Sequence, residues 1–302
     1  MNRRDFIVMS SLAILSARAA FAQAGIFQIG NQKIALWEGK PPGGGGPRGT
    51  ENFDGKGALS NVTHPSLEIF KPERPNGKAV LIAAGGGYKR IEQGTEAIPA
   101  AQWLSSIGYT AYILSYRLPG EGWNDGAIVS LQDAQRALRL VRSREKHVSV
   151  LGFSAGGHLL GMAVNQTGFQ SYKPTDDIDA IPARAEAAAL IYPVITLERP
   201  YTHTSTHKIL VGPHSSAEDE ARWSVQNMVT NRTPPMFLVQ AEDDPISDPQ
   251  NTLIMASVCE RAGVPVEMHR YSSGGHGFGL GRAGTPTVKW PSHYQVWLDS
   301  HA

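Results

Sequence analysis

The chain has 302 residues, 41% of them hydrophobic, and carries 28 Lys and Arg against 27 Asp and Glu, for a net charge of +1. That is apolar material enough for one large core. The balanced charge, with no basic stripe or acidic tail, argues against nucleic acid as a partner.

Taken from the start, Arg3-Arg4-Asp5-Phe6-Ile7 precede an apolar stretch running to about Ala17, and Ala20-Phe21-Ala22 offers small residues at both positions of an A-x-A cleavage site. The stretch is too short to span a bilayer, so no stable membrane anchor is expected. The paired arginines resemble the twin-arginine (Tat) export signal of bacteria, with an ordinary Sec signal as the alternative. Residues 1–22 are therefore expected to be an export signal peptide, and the mature protein periplasmic or secreted. Their removal takes out Arg3, Arg4 and Arg18 against Asp5, leaving a charge of about −1.

Residues 23–60 read as an N-terminal Gly/Pro-rich extension, with Gly39 to Gly49 a flexible surface segment. Residues 61–302 read as a single domain in which strands and helices alternate. Ala79 to Ala84 is a continuous apolar strand, followed by Gly85-Gly86-Gly87. A helix near Ile98 to Ile107 leads to a strand at Tyr109 to Leu114. Ser130-Leu131-Gln132-Asp133 looks like a capping box opening a helix whose Leu131, Ala134, Leu138 and Val141 share one face. Strands follow at Val148 to Leu151, Ala187 to Ile191 and Met236 to Val239. A helix from Thr252 to Ala262 carries Cys259, the only cysteine, as a packing residue. A strand at Val264 to Tyr271 and a helix opened by Pro291 close the chain. Continuous apolar strands separated by helices predict an α/β fold, a mostly parallel sheet with helices on both faces. Thr167 to Arg184 and Glu198 to Arg232 break the alternation and are candidate lids or substrate walls. Asp179 and Asp219 within them are taken as surface charges.

Gly152-Phe153-Ser154-Ala155-Gly156 lies between the Val148 strand and a helical run. Strand, G-x-S-x-G, helix is the nucleophile elbow, which lifts the serine hydroxyl above the sheet. Ser154 needs an oriented base and donors for an oxyanion. His276, in Gly274-Gly275-His276-Gly277, follows a strand and is the candidate base. Asp243, Asp244 and Asp248 follow the Met236 strand and compete as the orienting carboxylate. Asp244 is favoured because Pro245 starts a turn right after it, and the other of the pair 243/244 then caps that turn. Gly86 and Gly87, with Ala155 after the nucleophile, are candidate oxyanion amides. Tyr88 is a candidate substrate-binding residue at the pocket wall. His158 suits packing. Trp223 and Trp290 could stack on a sugar or anchor the core. Arg117 and Asp133 read as a buried ion pair or cap. No H-E-x-x-H or C-x-x-C spacing occurs, so neither metal nor cofactor is expected.

Together these blocks, with Leu36-Trp37-Glu38-Gly39, Thr63-His64-Pro65, Tyr116-Arg117-Leu118, Tyr192-Pro193-Val194 and Gly277-Phe278, resemble the α/β-hydrolase superfamily. More narrowly they resemble bacterial acetylxylan-esterase-like and feruloyl-esterase-like carbohydrate esterases. The resemblance implies a serine carboxylesterase with Ser154 as nucleophile, Asp244 as acid, His276 as base and Gly86, Gly87 and Ala155 as oxyanion donors. It also implies a substrate that is an acylated carbohydrate or small ester, such as acetyl- or feruloyl-substituted xylan. One departure stands out: Ala84 occupies the place of the histidine in the HGGG-type loop. A lipase or peptidase on the same triad, or an inactive carbohydrate-binding relative, are the rival readings.

Overall fold

The computed structural model describes residues 32–301, which fall in one compact unit, Asn31–Ala302. The expected export signal lies outside the described residues. In chain order the elements are β1 (Gln32–Ala35), β2 (Asn52–Phe53), β3 (Leu59–Ser60), β4 (Ser66–Phe70), β5 (Lys78–Ala83), α1 (Ile98–Ser106), β6 (Thr110–Ser115), α2 (Val129–Arg142), β7 (His147–Phe153) and α3 (Ser154–Asn165). These are followed by β8 (Ala188–Ile191), α4 (Ser205–Leu210), α5 (Ala217–Arg222), β9 (Met236–Ala241), α6 (Gln250–Arg261), β10 (Val266–Tyr271) and α7 (Trp290–His301).

The main sheet runs β1-β4-β6-β5-β7-β8-β9-β10. From β6 to β10 every pairing is parallel, while β4 and β1 join antiparallel. Burial explains the composition of the middle strands. Ala79 to Ala83, Val148, Val150 to Leu151 and Ala188 to Ile191 are all fully enclosed, so no solvent face calls for alternating polar residues. Crossovers between parallel strands are right-handed, and their direction reverses between β5 and β7. Helix α1 therefore covers the opposite face from α2 and α3. On its face α1 meets α7 through Trp103, whose ring lies 6.3 Å from Trp290 and 6.2 Å from Tyr294. The crevice at the carboxyl ends of β5 and β7 is the topological switch point, where loops from both sides converge.

Residues 32–60, the described part of the segment expected as an N-terminal extension, are built into this unit, the glycine run from Gly39 to Gly49 included. β1 pairs with β4, and Leu36, Trp37 and Leu59 join the core. The anchor is a buried guanidinium. Arg117 is fully enclosed; its Nε donates to both Asp133 oxygens at 3.0 and 2.9 Å, and its Nη1 to the Pro42 carbonyl at 2.8 Å. Trp37 Nε1 donates to Asp133 Oδ1 at 2.8 Å. The glycine run is pinned too, with Gly46 N bonded to Gly122 O at 2.9 Å and Asn124 N to Gly44 O at 3.1 Å.

Two other expectations give way to the same economy of buried polar groups. Ser130 opens no capping box: α2 begins at Val129, and the Ser130 hydroxyl donates to the Arg117 carbonyl at 2.6 Å. Asp179 is no surface charge, because its side chain is buried against Arg136 at 2.9 Å and accepts from Tyr172 at 2.6 Å. Asp176 completes the pair with Arg136. The 167–184 stretch is thereby tied to α2. Asp219, as expected, lies at the surface, though half-buried, and it closes a capping box with Ser216 at the start of α5. Cys259 is buried, and that burial pushes its thiol up to about 12, which makes it an inert packing group. Among the described residues no helix is long and apolar enough to cross a membrane.

Removing one partner of an enclosed ion pair strands the other charge, at a cost of about 3–5 kcal/mol. Asp133→Ala is expected to lower the unfolding free energy by that amount in urea denaturation, and a loss under about 1 kcal/mol contradicts the anchoring role.

Candidate active site

The turn from β7 into α3 fixes the first group. Ser154 sits at φ +49°, a left-handed conformation unusual for a side-chain-bearing residue. The backbone doubles back so tightly that a Cβ on Gly156 would lie 2.1 Å from the Ala83 carbonyl oxygen. The glycine is required there by close approach. Ser154 is 6% exposed, with its hydroxyl at the crevice.

Two further loops meet it. The loop after β10 brings His276 Nε2 to 2.8 Å from Ser154 Oγ. The loop after β9 brings Asp244 Oδ2 to 2.7 Å from His276 Nδ1. With Nδ1–H donating to the carboxylate, Nε2 is left as the acceptor for the serine hydroxyl. Asp244 is itself oriented by the Ile246 and Ser247 amides, which donate to Oδ1 at 2.8 and 2.9 Å, and by Gln240 Nε2, which donates to Oδ2 at 3.1 Å. Of the three competing carboxylates, Asp244 is thus the one at the imidazole. Asp243 instead accepts the Gly275 amide at 2.7 Å and fastens the histidine loop, and Asp248 accepts the Gln250 amide at 2.9 Å at the start of α6.

The glycine loop after β5 forms the other wall. A Cβ on Gly85 would fall 2.7 Å from Ser154 Cβ, which shows how closely this loop packs on the serine. Among the described residues, the Gly86 and Gly87 amides have no backbone acceptor. Ala155 is the second residue of α3, so its N–H has no partner within the helix. All three candidate amides therefore lack a backbone acceptor among the described residues. Ser205, in the stretch expected as a wall, lies against Gly87, since a Cβ there would sit 2.6 Å from Ser205 Cβ.

The missing HGGG-type histidine has substitutes. Tyr116 hydroxyl donates to the Ala84 carbonyl at 2.9 Å, and Glu96 Oε2 accepts the Gly85 amide at 2.6 Å. Sequence reading did not single out Glu96. Its nearness to the glycine loop in the chain was the one available signal.

Tyr88 corrects an expectation. It is 2% exposed, and its hydroxyl bonds His158 Nδ1 at 2.9 Å, so it props the loop from behind and offers no face to a substrate. Its φ of +59° is held by that bond and by edge contacts with Tyr116 and His158. His158 Nε2 in turn donates to the Trp223 carbonyl at 2.7 Å. Trp290 is fully buried, with Nε1 bonded to the Gly279 carbonyl at 2.9 Å, and belongs to the core.

Against this geometry, the BD-FAE family model matches residues 67–258. The chain belongs to the BD-FAE family of α/β-hydrolases. An acetylxylan esterase of Xylanibacter ruminicola is 28% identical over 234 residues, covering 74% of this chain and 45% of that protein. Endo-1,4-beta-xylanase B of Butyrivibrio fibrisolvens is 28% identical over 206 residues, covering 66% of this chain and 32% of its own. The chain thus spans less than half the length of either relative. The acetyl ester-xyloside bifunctional hydrolase from Caldicellulosiruptor lactoaceticus superposes with a TM-score of 0.74 at 31% identity, over 90% of this chain and 97% of that one. A thermophilic esterase from Thermogutta terrifontis shares the fold, with a TM-score of 0.64 at 22% identity.

Burial holds His158 neutral, pushing it from 6.5 down to about 4. Its stabilising contribution is present in full above pH 6.5 and is lost as pH falls through about 4. The gap in unfolding free energy between wild type and His158→Gln is therefore expected to narrow by about 2–3 kcal/mol between neutral pH and the acid end of that window. A gap that does not move with pH would overturn the neutral assignment.

Proposed function

We propose that the protein is a serine carboxylesterase that removes acyl groups from plant cell-wall polysaccharide such as xylan, with acetyl the favoured group. The observation that carries the reading is the unbroken line Ser154 Oγ, His276, Asp244, with separations of 2.8 and 2.7 Å. The printed names of the acetylxylan esterase and acetyl ester-xyloside hydrolase relatives support the substrate class, and both favour acetyl over feruloyl.

In this reading His276 Nε2 takes the Ser154 proton as Oγ forms a bond to the ester carbonyl carbon. Asp244 keeps Nδ1 protonated and offsets the charge on the imidazolium. The oxyanion is received by the amides of Gly86, Gly87 and Ala155, each such donor contributing ~10²–10³ in rate. The tetrahedral intermediate collapses as His276 returns its proton to the sugar oxygen, and the alcohol leaves. Water, deprotonated by the same imidazole, then attacks the acyl-serine and releases the carboxylic acid. The export signal at Arg3-Arg4 and Ala20-Phe21-Ala22 supports a periplasmic or secreted enzyme, where polymeric xylan is accessible.

Ser154→Ala is expected to cut turnover of p-nitrophenyl acetate on the order of 10⁶-fold with the fold intact. Asp244→Asn is expected to lower kcat by ~10⁴, whereas Asp243→Asn, which can still accept the Gly275 amide, stays within about tenfold of wild type. Wild-type turnover in Ser154→Ala sinks the mechanism. On polymer, acetate released from acetylated xylan should exceed ferulate released from feruloylated arabinoxylan, and the reverse order overturns the acetyl assignment.

A further inference from the structure

Glu96 is 3% exposed, lies behind the glycine loop, and touches neither Ser154 nor the open crevice through any bond of its own. Both its oxygens are nonetheless committed. Oε2 accepts the Gly85 amide at 2.6 Å, and Oε1 accepts the Tyr192 hydroxyl at 3.0 Å. The Tyr192 oxygen accepts in turn from the Gly279 amide at 3.1 Å. The Tyr192 ring makes an edge contact with the His276 imidazole, with centroids 4.9 Å apart, and with Phe278 at 4.4 Å. Tyr192 adopts a φ of +38°, a conformation that persists only when its surroundings hold it. A continuous chain of bonds thus joins the loop bearing Gly86 and Gly87 to the loop bearing His276.

Resting on the reading of Ser154 as nucleophile, we propose that Glu96 is a positioning residue whose carboxylate, through Tyr192, clamps the oxyanion loop to the histidine loop and sets their separation for catalysis. The chemistry supports the carboxylate form as the one that clamps. Two donors, one per oxygen, suit an ionised group, and a proton on either oxygen would displace one of them. Burial opposes that charge and pushes the Glu96 carboxyl up to about 7, against the Gly85 amide, the Tyr192 hydroxyl and His276, which pull it down. The titratable groups facing it are Glu92 from its own segment, Tyr116 from the end of β6, Tyr192 from the end of β8 and His276 from the loop after β10. The clamp is therefore complete at pH above about 7 and loosens below it.

The experiment compares wild type, Glu96→Gln, Tyr192→Phe and the double variant by kcat and KM on p-nitrophenyl acetate across the acid limb of the pH profile, with melting temperatures alongside. Each single variant is expected to lower kcat by ~10–100-fold, less than deleting an oxyanion donor, with KM within about threefold. Because both act on one link, the double variant should fall no further than the worse single. The acid limb of kcat/KM should need two deprotonations in wild type and one in Glu96→Gln. Singles that keep kcat within about twofold, losses that multiply in the double, or an acid limb unchanged by Glu96→Gln each overturn the proposal. If Glu96→Gln fails to fold, Tyr192→Phe keeps the ring in place and carries the test by its kcat alone. Turnover lost in Ser154→Ala but retained in both clamp variants defeats this proposal only, whereas turnover retained in Ser154→Ala defeats the underlying reading as well.

Discussion

The conformation of Ser154 is the constraint from which the site follows. A residue with a side chain at φ +49° costs about 1–3 kcal/mol relative to an unstrained position, and it persists because the surroundings leave no alternative. β7 is enclosed on both faces, α3 must start immediately to cover the sheet, and the Ala83 carbonyl presses on Gly156 from β5. The strain puts the hydroxyl at the crevice and leaves the first amides of α3 unpaired beside it. A relaxed turn there would point the side chain elsewhere and place no donors near it.

Everything else near the serine is held by polar groups, many of them with partners far away in the chain. The histidine loop is fastened by Asp243 at Gly275, by the Arg282 guanidinium at the His276 carbonyl (3.2 Å), and by Tyr192 and Trp290 at Gly279. The glycine loop is fastened by Tyr116, Glu96 and, through Tyr88, His158. Arg117 and Asp133 do the corresponding work for the N-terminal arm. Burying Tyr116, Glu96, His158, Tyr192, Arg117 and Asp133 is tolerable only because their partners are supplied, and that requirement gives each loop one position.

This division explains what could be read from the sequence. The parallel strands were legible because burial on both faces leaves an unbroken apolar run, as in Ala79 to Ala84. The elbow and the acidic turn were legible because each follows such a strand directly, and the histidine loop because glycines flank His276 just after the half-exposed edge strand β10. The antiparallel arm was not: β1 and β4 are short, and what holds the arm is a guanidinium about 75 residues from Pro42 in sequence. The same blindness hid Asp179, whose burial depends on Arg136, and Glu96, whose role depends on Tyr192. Tyr88 was misassigned because adjacency to the loop says nothing about which side of it a ring will occupy. Local pattern reveals elements and motifs, whereas long-range polar pairing is settled only in three dimensions.

The central claim is that one hydroxyl, Ser154, is activated by one imidazole, His276. Its most direct test is reaction of the intact protein with a fluorophosphonate, followed by peptide mapping and by rate comparison with His276→Ala. The account predicts a single adduct on Ser154, formed at a rate that collapses in the variant. An adduct on another residue, or equal rates with and without the imidazole, would contradict it.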